Sequence, residues 1–240
     1  MQIDIKKAAA RISGQVLQTP LFYSKYLSAL NKGQVYLKLE SEQYTGSFKA
    51  RGALNKMLGL SSSEKAKGLI TASTGNHAQG FARALEIANA EGTIFLPTNA
   101  DPSKVEALKV YKVGLKFHGA DALTTELYAM KFAKASGQTW ISPYNDPEVI
   151  AGQGTLALEM TSQLASIDAV LGCIGGGGMM SGVATWLHQG SPKTKIIGCL
   201  PENSPEMYLS VKKGKVVFME TTLPTLSDGS AGGLESDAIT

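Results

Sequence analysis

Two rhythms of apolar and polar positions run along the chain. Val35-Tyr36-Leu37-Lys38-Leu39-Glu40 alternates at every second residue, the period of a strand with one covered face. Shortly downstream, Ala53, Leu54, Met57 and Leu58 recur at helical spacing. From Gly68 onward short apolar runs and helical stretches take turns. Leu69-Ile70-Thr71 predicts a strand and 76–90 a helix; 93–96 predicts a strand, followed by a helix that Pro102 opens and that reaches about Tyr111. A short strand at 115–117, a helix over 123–136 and a strand at Thr139-Trp140-Ile141 complete this group. A second group reads as a helix over 152–164, a strand over 169–174, a helix after Gly182, a strand over 195–199 and a helix over 205–211.

Strands alternating with helices predict an α/β protein with parallel, doubly wound sheets. The Gly68–Pro143 stretch holds enough strand–helix units for a sheet of its own, and Tyr144-Asn145-Asp146-Pro147 reads as a turn-rich return point. The expected organisation is a small domain over 68–146 inserted in a larger one formed by 1–67 and 147–240. No internal repeat or low-complexity segment interrupts the pattern.

Composition narrows the function classes. The 240 residues are 43% hydrophobic and 18% charged, ordinary for a globular protein. A net charge of +3 with no basic stripe between aromatics gives no argument for nucleic acid. No apolar run is long enough to span a membrane, and Met1 to Lys7 reads as the start of an amphipathic helix rather than a signal peptide. Cys173 and Cys199 each end an apolar strand-like run and are expected as buried, reduced core residues, which fits a cytoplasmic protein. His77, His118 and His188 are scattered, so no metal site is expected.

Three motifs carry chemistry. In Thr45-Gly46-Ser47-Phe48-Lys49-Ala50-Arg51-Gly52 a glycine turn precedes a helix start, with Ser47 as a candidate N-cap. Lys49 then lies at the positive end of the helix dipole, which disfavours a further positive charge and lowers the amine's basicity. A neutral amine is what a Schiff-base lysine needs, although the same position also suits a solvated surface charge. Thr71-Ala72-Ser73-Thr74-Gly75-Asn76-His77-Ala78 lies between a strand and a helix. Its free N–H groups and hydroxyls suit either simple N-capping or a cradle for a carboxylate. Gly175-Gly176-Gly177-Gly178-Met179 follows an apolar strand, and backbone without side chains can fold around a dianion such as a phosphate.

Other phosphate motifs fail in detail. Met179 and Met180 stand where a P-loop needs Lys and Ser or Thr, and no acidic residue closes the next strand as a dinucleotide fingerprint requires. Ser62-Ser63-Glu64-Lys65 matches Ser-x-x-Lys without its companion motifs and reads as a polar turn and helix start. A lysine, a carboxylate cradle and a phosphate cradle together meet the needs of pyridoxal phosphate and an amino-acid substrate.

These motifs resemble the fold-type II pyridoxal-phosphate enzymes, with a tryptophan synthase β-like architecture. Ser73-Thr74-Gly75-Asn76-His77 and Asp146-Pro147 through Thr155 are similar to the serine/threonine dehydratase (threonine ammonia-lyase) and serine racemase branch. The resemblance implies that Lys49 holds the cofactor and moves the Cα proton. It implies that Phe48 and Gly229 flank the cofactor ring and that Asn76 bonds its 3′-oxygen. Ser73, Thr74, Gly75, Asn76 and His77 would hold the substrate, and Gly175, Gly176, Gly177, Gly178 and Met179 the phosphate. The implied activity is β-elimination of water from L-threonine or L-serine, by a homodimer.

Three departures from the family pattern qualify this. Thr74 stands where racemases often carry serine and dehydratases alanine; its hydroxyl is a candidate second acid, so racemase activity stays open. Leu200 occupies the place of an acidic ligand in the racemase-like cation site, so no bound Mg²⁺ or Ca²⁺ is expected. The family pattern continues for about eighty residues past Thr240, the part that supplies a pyridine-nitrogen partner. An inactive fragment with an open sheet edge is therefore the alternative expectation.

Overall fold

The computed structural model describes residues 3–219, residue 223 and residues 225–240. The expected N-terminal helix is α1 (Ile5–Ile12), capped by the Asp4 carboxylate and burying Ile5, Ala8 and Ile12 on one face; Met1 and Gln2 lie outside the described residues. β1 (Leu21–Tyr23) follows, then α2 (Lys25–Asn31) and β2 (Tyr36–Lys38), which pairs antiparallel with β1. A 3₁₀ turn at Glu40–Glu42 leads to α3 (Lys49–Gly59). α4 (Ser62–Ala66) is a single turn with a reciprocal Ser61–Glu64 capping box, so the Ser-x-x-Lys match is a helix start.

The next elements are β3 (Leu69–Ala72), α5 (Asn76–Ala88), β4 (Gly92–Leu96), α6 (Pro102–Leu108), β5 (Gly114–Phe117), α7 (Ala122–Ser136) and β6 (Thr139–Trp140). Their strands form one parallel sheet in the order β5-β4-β3-β6. β3 is buried on both faces, as a central parallel strand must be. Leu69 and Ile94 pack with Phe81 and Leu85 of α5, while Ile70 and Phe95 pack with Ala129 and Ala133 of α7. Helices therefore cover both faces.

α8 (Pro147–Gln163) starts earlier than the apolar pattern suggested. Asp146 caps it by accepting N–H bonds from Glu148 and Val149, and Pro147 occupies its first turn. β7 (Ala169–Cys173), α9 (Gly178–Gly190) and β8 (Lys195–Cys199) complete a parallel βαβ unit. α9 begins at the fourth glycine of the quartet rather than after Gly182. α10 (Glu206–Lys213) and a 3₁₀ turn at Asp228–Ser230 follow.

α8 is the central helix, with Val149 to Ala157 buried without a break. It crosses α3 where Gly52 meets Gly152, and α9 where Gly154 meets Gly182. A Cβ on Gly152 would lie 2.7 Å from the Arg51 carbonyl oxygen, and one on Gly182 2.4 Å from that of Ile150. Arg51, fully buried, ties α3 to both flanks. It binds Glu40 through Nε (2.8 Å) and Nη2 (2.9 Å), Glu159 through Nη1 (2.5 Å) and Nη2 (3.0 Å), and the Leu17 carbonyl (3.0 Å).

The two cysteines depart from expectation. Cys173 and Cys199 are register partners on β7 and β8, and both are exposed free thiols. α8 and α9 cover the face bearing Val170 and Ile196, whereas the opposite face carries the exposed Leu171, Cys173, Ile197 and Cys199.

Candidate active site

The order β5-β4-β3-β6 places a switch point between β3 and β6, because the chain builds outward from β3 in both directions. Ligands of open parallel sheets bind beyond the carboxyl ends of the strands at such a point. The segments leaving those two ends are Ser73–His77 and Ile141–Asn145.

Ile141–Asn145 is where the sequence motifs meet. The Lys49 amine donates to the Pro143 carbonyl at 2.8 Å. The Thr71 hydroxyl donates to the Ile141 carbonyl at 2.8 Å and faces His77 Nε2 at 3.0 Å. The Tyr144 ring packs on the glycine loop: a Cβ on Gly176 would fall 2.3 Å from its Cγ, and one on Gly178 2.9 Å from the Tyr144 carbonyl oxygen. The lysine, the strand threonine that opens the second motif and the glycine loop thus converge on five consecutive residues.

Lys49 is the first residue of α3. Ser47 is not the cap; Phe48 holds that position without a side-chain bond, and the Ser47 hydroxyl accepts the Lys49 N–H at 3.4 Å. The Phe48 ring packs toward α8 and α9 and lies 5.6 Å from the Lys49 nitrogen. Burial pushes the Lys49 amine down to about 8, with the Glu126 carboxyl pulling weakly the other way. Desolvation thus accounts for a lowered basicity expected from the helix dipole alone.

In the second motif, Gly75 is the cap residue and Asn76 the exposed first residue of α5. The Ser73 hydroxyl accepts the Gly75 N–H at 3.2 Å, and Thr74 is half-buried beside it. The His77 ring is buried. Burial first, then the Lys49 charge, hold it down to about 3, so it is neutral. The one Thr71 hydroxyl proton goes to Ile141, so His77 must donate its single N–H, from Nε2, to Thr71. Its bare Nδ1 is buried without a partner. With its N–H committed to Thr71, the side chain leaves only the His77 backbone N–H as a donor toward a carboxylate.

In the third motif, Gly177 has φ +85°, a conformation that glycine adopts without strain, and it caps α9. The first intrahelical bond is Ser181 N–H to the Gly177 carbonyl at 2.9 Å, which leaves the amides of Gly178, Met179 and Met180 outside the helical ladder. Gly229 belongs to the 3₁₀ turn beside this loop, where Ser230 Cα lies 3.5 Å from a Cβ built on Gly175.

Two residues that the sequence did not flag complete the site. Glu126 of α7 is pushed up to about 7 by burial and by the charge and hydrogen bonding of Glu235. Glu235 accepts the Ser142 hydroxyl at 2.8 Å and the Asn145 amide at 2.6 Å, and donates its own N–H to the Tyr144 oxygen at 2.5 Å. An acid within a helix, such as Glu126, reads as a surface charge, and an acid in an irregular segment, such as Glu235, reads as part of a loop, so neither residue gave a sequence signal. Among the described residues no three His, Cys, Asp or Glu side chains cluster as a metal site, and no helix is long and apolar enough to cross a membrane.

The family model described as "pyridoxal-phosphate dependent enzyme" matches residues 12–240. The chain is 40% identical over 230 residues to an L-threonine ammonia-lyase of Thermotoga maritima, covering 95% of this chain and 57% of that protein. It is 44% identical over 227 residues to a catabolic L-threonine dehydratase of Staphylococcus aureus, covering 94% and 65%. Among solved structures it is similar to the processed threonine deaminase isoform 2 of Solanum lycopersicum (TM-score 0.88, 36% identity, 96% of this chain and 69% of that one). Maize serine racemase is likewise similar (TM-score 0.91, 32% identity, 98% and 71%). The chain thus spans somewhat more than half to about two thirds of the length of these curated relatives. With the fold-type II architecture, the converging lysine and glycine loop and these similarities in agreement, the chain belongs to the family of pyridoxal-phosphate dependent enzymes.

Proposed function

We propose that this chain carries the β-elimination site of a threonine/serine dehydratase, which converts L-threonine or L-serine to 2-oxobutyrate or pyruvate plus ammonia. The observation that carries the reading is the Lys49 amine, held near pKa 8 and anchored on Pro143 between the hydroxyl loop and the glycine quartet. At pH 7 such an amine is roughly one-tenth neutral, against about one part in three thousand for an ordinary lysine.

The residues present fit pyridoxal phosphate. The quartet closes on its neighbours so tightly that a Cβ at Gly176, Gly177 or Gly178 would collide, leaving backbone amides as the loop's chemistry. When bound, the cofactor supplies an electron sink that acidifies the Cα proton of an attached amino acid. Lys49 would hold its aldehyde and then take the Cα proton at Nζ. Gly175 to Met179 would hold the phosphate at the positive end of α9. Phe48 and Gly229 would flank the ring, and Asn76 would bond its oxygen. Ser73, Thr74 and Gly75, with the His77 backbone, would hold the substrate carboxylate, and the His77 ring would orient that loop through Thr71.

We also read residues 68–146 as an inserted small domain, the protein as a cytoplasmic homodimer and the site as metal-independent. The Thr74 hydroxyl favours serine racemisation as a second reading, and serine racemase lies among the similar structures. The test is 2-oxo acid formation from threonine and serine by the chain loaded with pyridoxal phosphate, with chiral analysis of recovered serine. Lys49→Ala is expected to lose essentially all turnover and the covalent attachment of the cofactor. Turnover that survives in Lys49→Ala refutes the assignment.

A further inference from the structure

Gly80 is buried within α5, and glycine weakens a helix interior relative to alanine. What it gives here is close approach. A Cβ built on Gly80 would stand 3.0 Å from the Lys49 carbonyl carbon, 3.0 Å from its oxygen and 3.1 Å from the Ala50 nitrogen. α5 therefore rests directly on the peptide unit that follows the lysine. Asn76 and His77 lie one turn earlier on α5, on the same side of the helix as Gly80.

The bodies of both helices are backed on their far sides. α3 meets α8 there, where a Cβ on Gly152 would lie 2.7 Å from the Arg51 carbonyl oxygen and 2.7 Å from the Gly52 Cα. The Arg51 side chain is fixed by Glu40 and Glu159, and the Gly52 N–H donates to Gln153 Oε1 at 3.2 Å. α5 is backed by the sheet, where Leu69 and Ile94 pack with Phe81 and Leu85. The yielding part is Lys49 itself. It is the first residue of α3, its N–H meets the Ser47 hydroxyl at a long 3.4 Å, and the cap residue Phe48 makes no side-chain bond.

We propose that Gly80 is a positioning residue for the elimination: by having no side chain, it lets α5 seat the Lys49–Ala50 peptide and so sets where the reactive amine stands. The inference rests on reading Lys49 as the reactive amine of the site. A side chain at position 80 would press on that peptide. Restoring ordinary contacts of about 3.5 Å takes a displacement of roughly 0.5 Å. Passed to the lysine, a shift of that size draws its nitrogen off the Pro143 carbonyl, which it meets at 2.8 Å.

The test compares Gly80→Ala with Gly114→Ala, whose Cβ would meet Thr93 Oγ1 at a similar 3.1 Å on the edge strand β5. In the full chain without added cofactor, competitive acetylation by acetic anhydride, read by peptide mass spectrometry, reports how freely the Lys49 amine reacts. Loss of one ordinary hydrogen bond is expected to raise the Lys49 rate about fivefold in Gly80→Ala and to leave it unchanged in Gly114→Ala. In the chain loaded with pyridoxal phosphate, kcat for 2-oxo acid formation should fall about tenfold with KM within about twofold, the mark of a misplaced base rather than of weakened substrate binding. A merely structural role would lower the thermal midpoint and leave Lys49 acetylation at the parent rate; that result overturns the proposal.

Should Gly80→Ala fail to fold, NMR of the parent decides. A strong nuclear Overhauser effect between the Gly80 Hα protons and the Ala50 N–H supports the proposal, and its absence overturns it. Failure of the lyase reading shows separately, as a parent chain that never attaches pyridoxal phosphate at Lys49. The acetylation rates of that chain and of its Gly80→Ala variant still decide whether Gly80 places the amine.

Discussion

Gly182→Ala tests the glycine crossing of α8 and α9. The new Cβ would lie 2.4 Å from the Ile150 carbonyl oxygen, 2.6 Å from the Gly154 nitrogen and 2.9 Å from its Cα. All three are backbone atoms, so no side chain can swing away. Restoring ordinary carbon contacts of about 3.5 Å requires the helices to separate by roughly 1 Å. The two helices share the cluster of Leu156, Ala157, Met160, Val183 and Leu187. A gap of that size forfeits up to about half of the dispersion energy of each facing pair. Overpacking costs about 3 kcal/mol at the upper end of its usual range, and alanine returns about 1 kcal/mol of helix propensity. The expected net loss is about 2 kcal/mol, or roughly 4–8 °C in Tm for a chain of this size. Urea unfolding followed by circular dichroism should show a lower midpoint at unchanged m-value. Gly190→Ala, in the last turn of the same helix with nothing within 4 Å of its Cβ, is the control and should be neutral or slightly stabilising. A Gly182→Ala chain as stable as that control refutes the close crossing.

Arg51→Met should cost about 3–5 kcal/mol in urea unfolding, because Glu40 and Glu159 remain largely buried without their counter-charge. A deficit below about 1 kcal/mol, the level of a solvent-exposed pair, counts against the ion cage. His77 binds a proton in the unfolded chain below its ordinary value of 6.5 but resists it in the fold until about pH 3. Its share of stability is therefore complete above 6.5 and lost as pH falls toward 3. His77→Gln, which keeps a donor for Thr71, should flatten urea midpoints measured between pH 7 and 4, and an unchanged slope contradicts the buried neutral ring.

Elements governed by local periodicity were legible in the sequence: β8 has the expected bounds, and α5 and α7 differ from theirs by one or two residues at the ends. The start of α8 was not, because Asp146-Pro147 serves equally as a turn and as a cap with proline in the first turn. β1 escaped because three residues hold too little alternation to register. Lys49 and the glycine quartet were legible since their chemistry needs particular residue types at a chain break. Glu126 and Glu235 were not, because what makes them unusual is a tertiary contact between positions far apart in sequence. The cysteines misled for a related reason: an apolar strand sequence says that a face is suited to cover, not that cover is present within this chain.

Ile141 to Asn145 engages a different neighbour at almost every residue: Thr71, Glu235, Lys49, the glycine quartet, and Glu235 with Ile239. Such a stretch behaves as a ruler. Side-chain exchanges along it disturb one partnership each, whereas gain or loss of a single residue would slide every partnership out of phase together. Its length is therefore more tightly constrained than its spelling, and variation among such chains should accumulate there as replacements, never as indels.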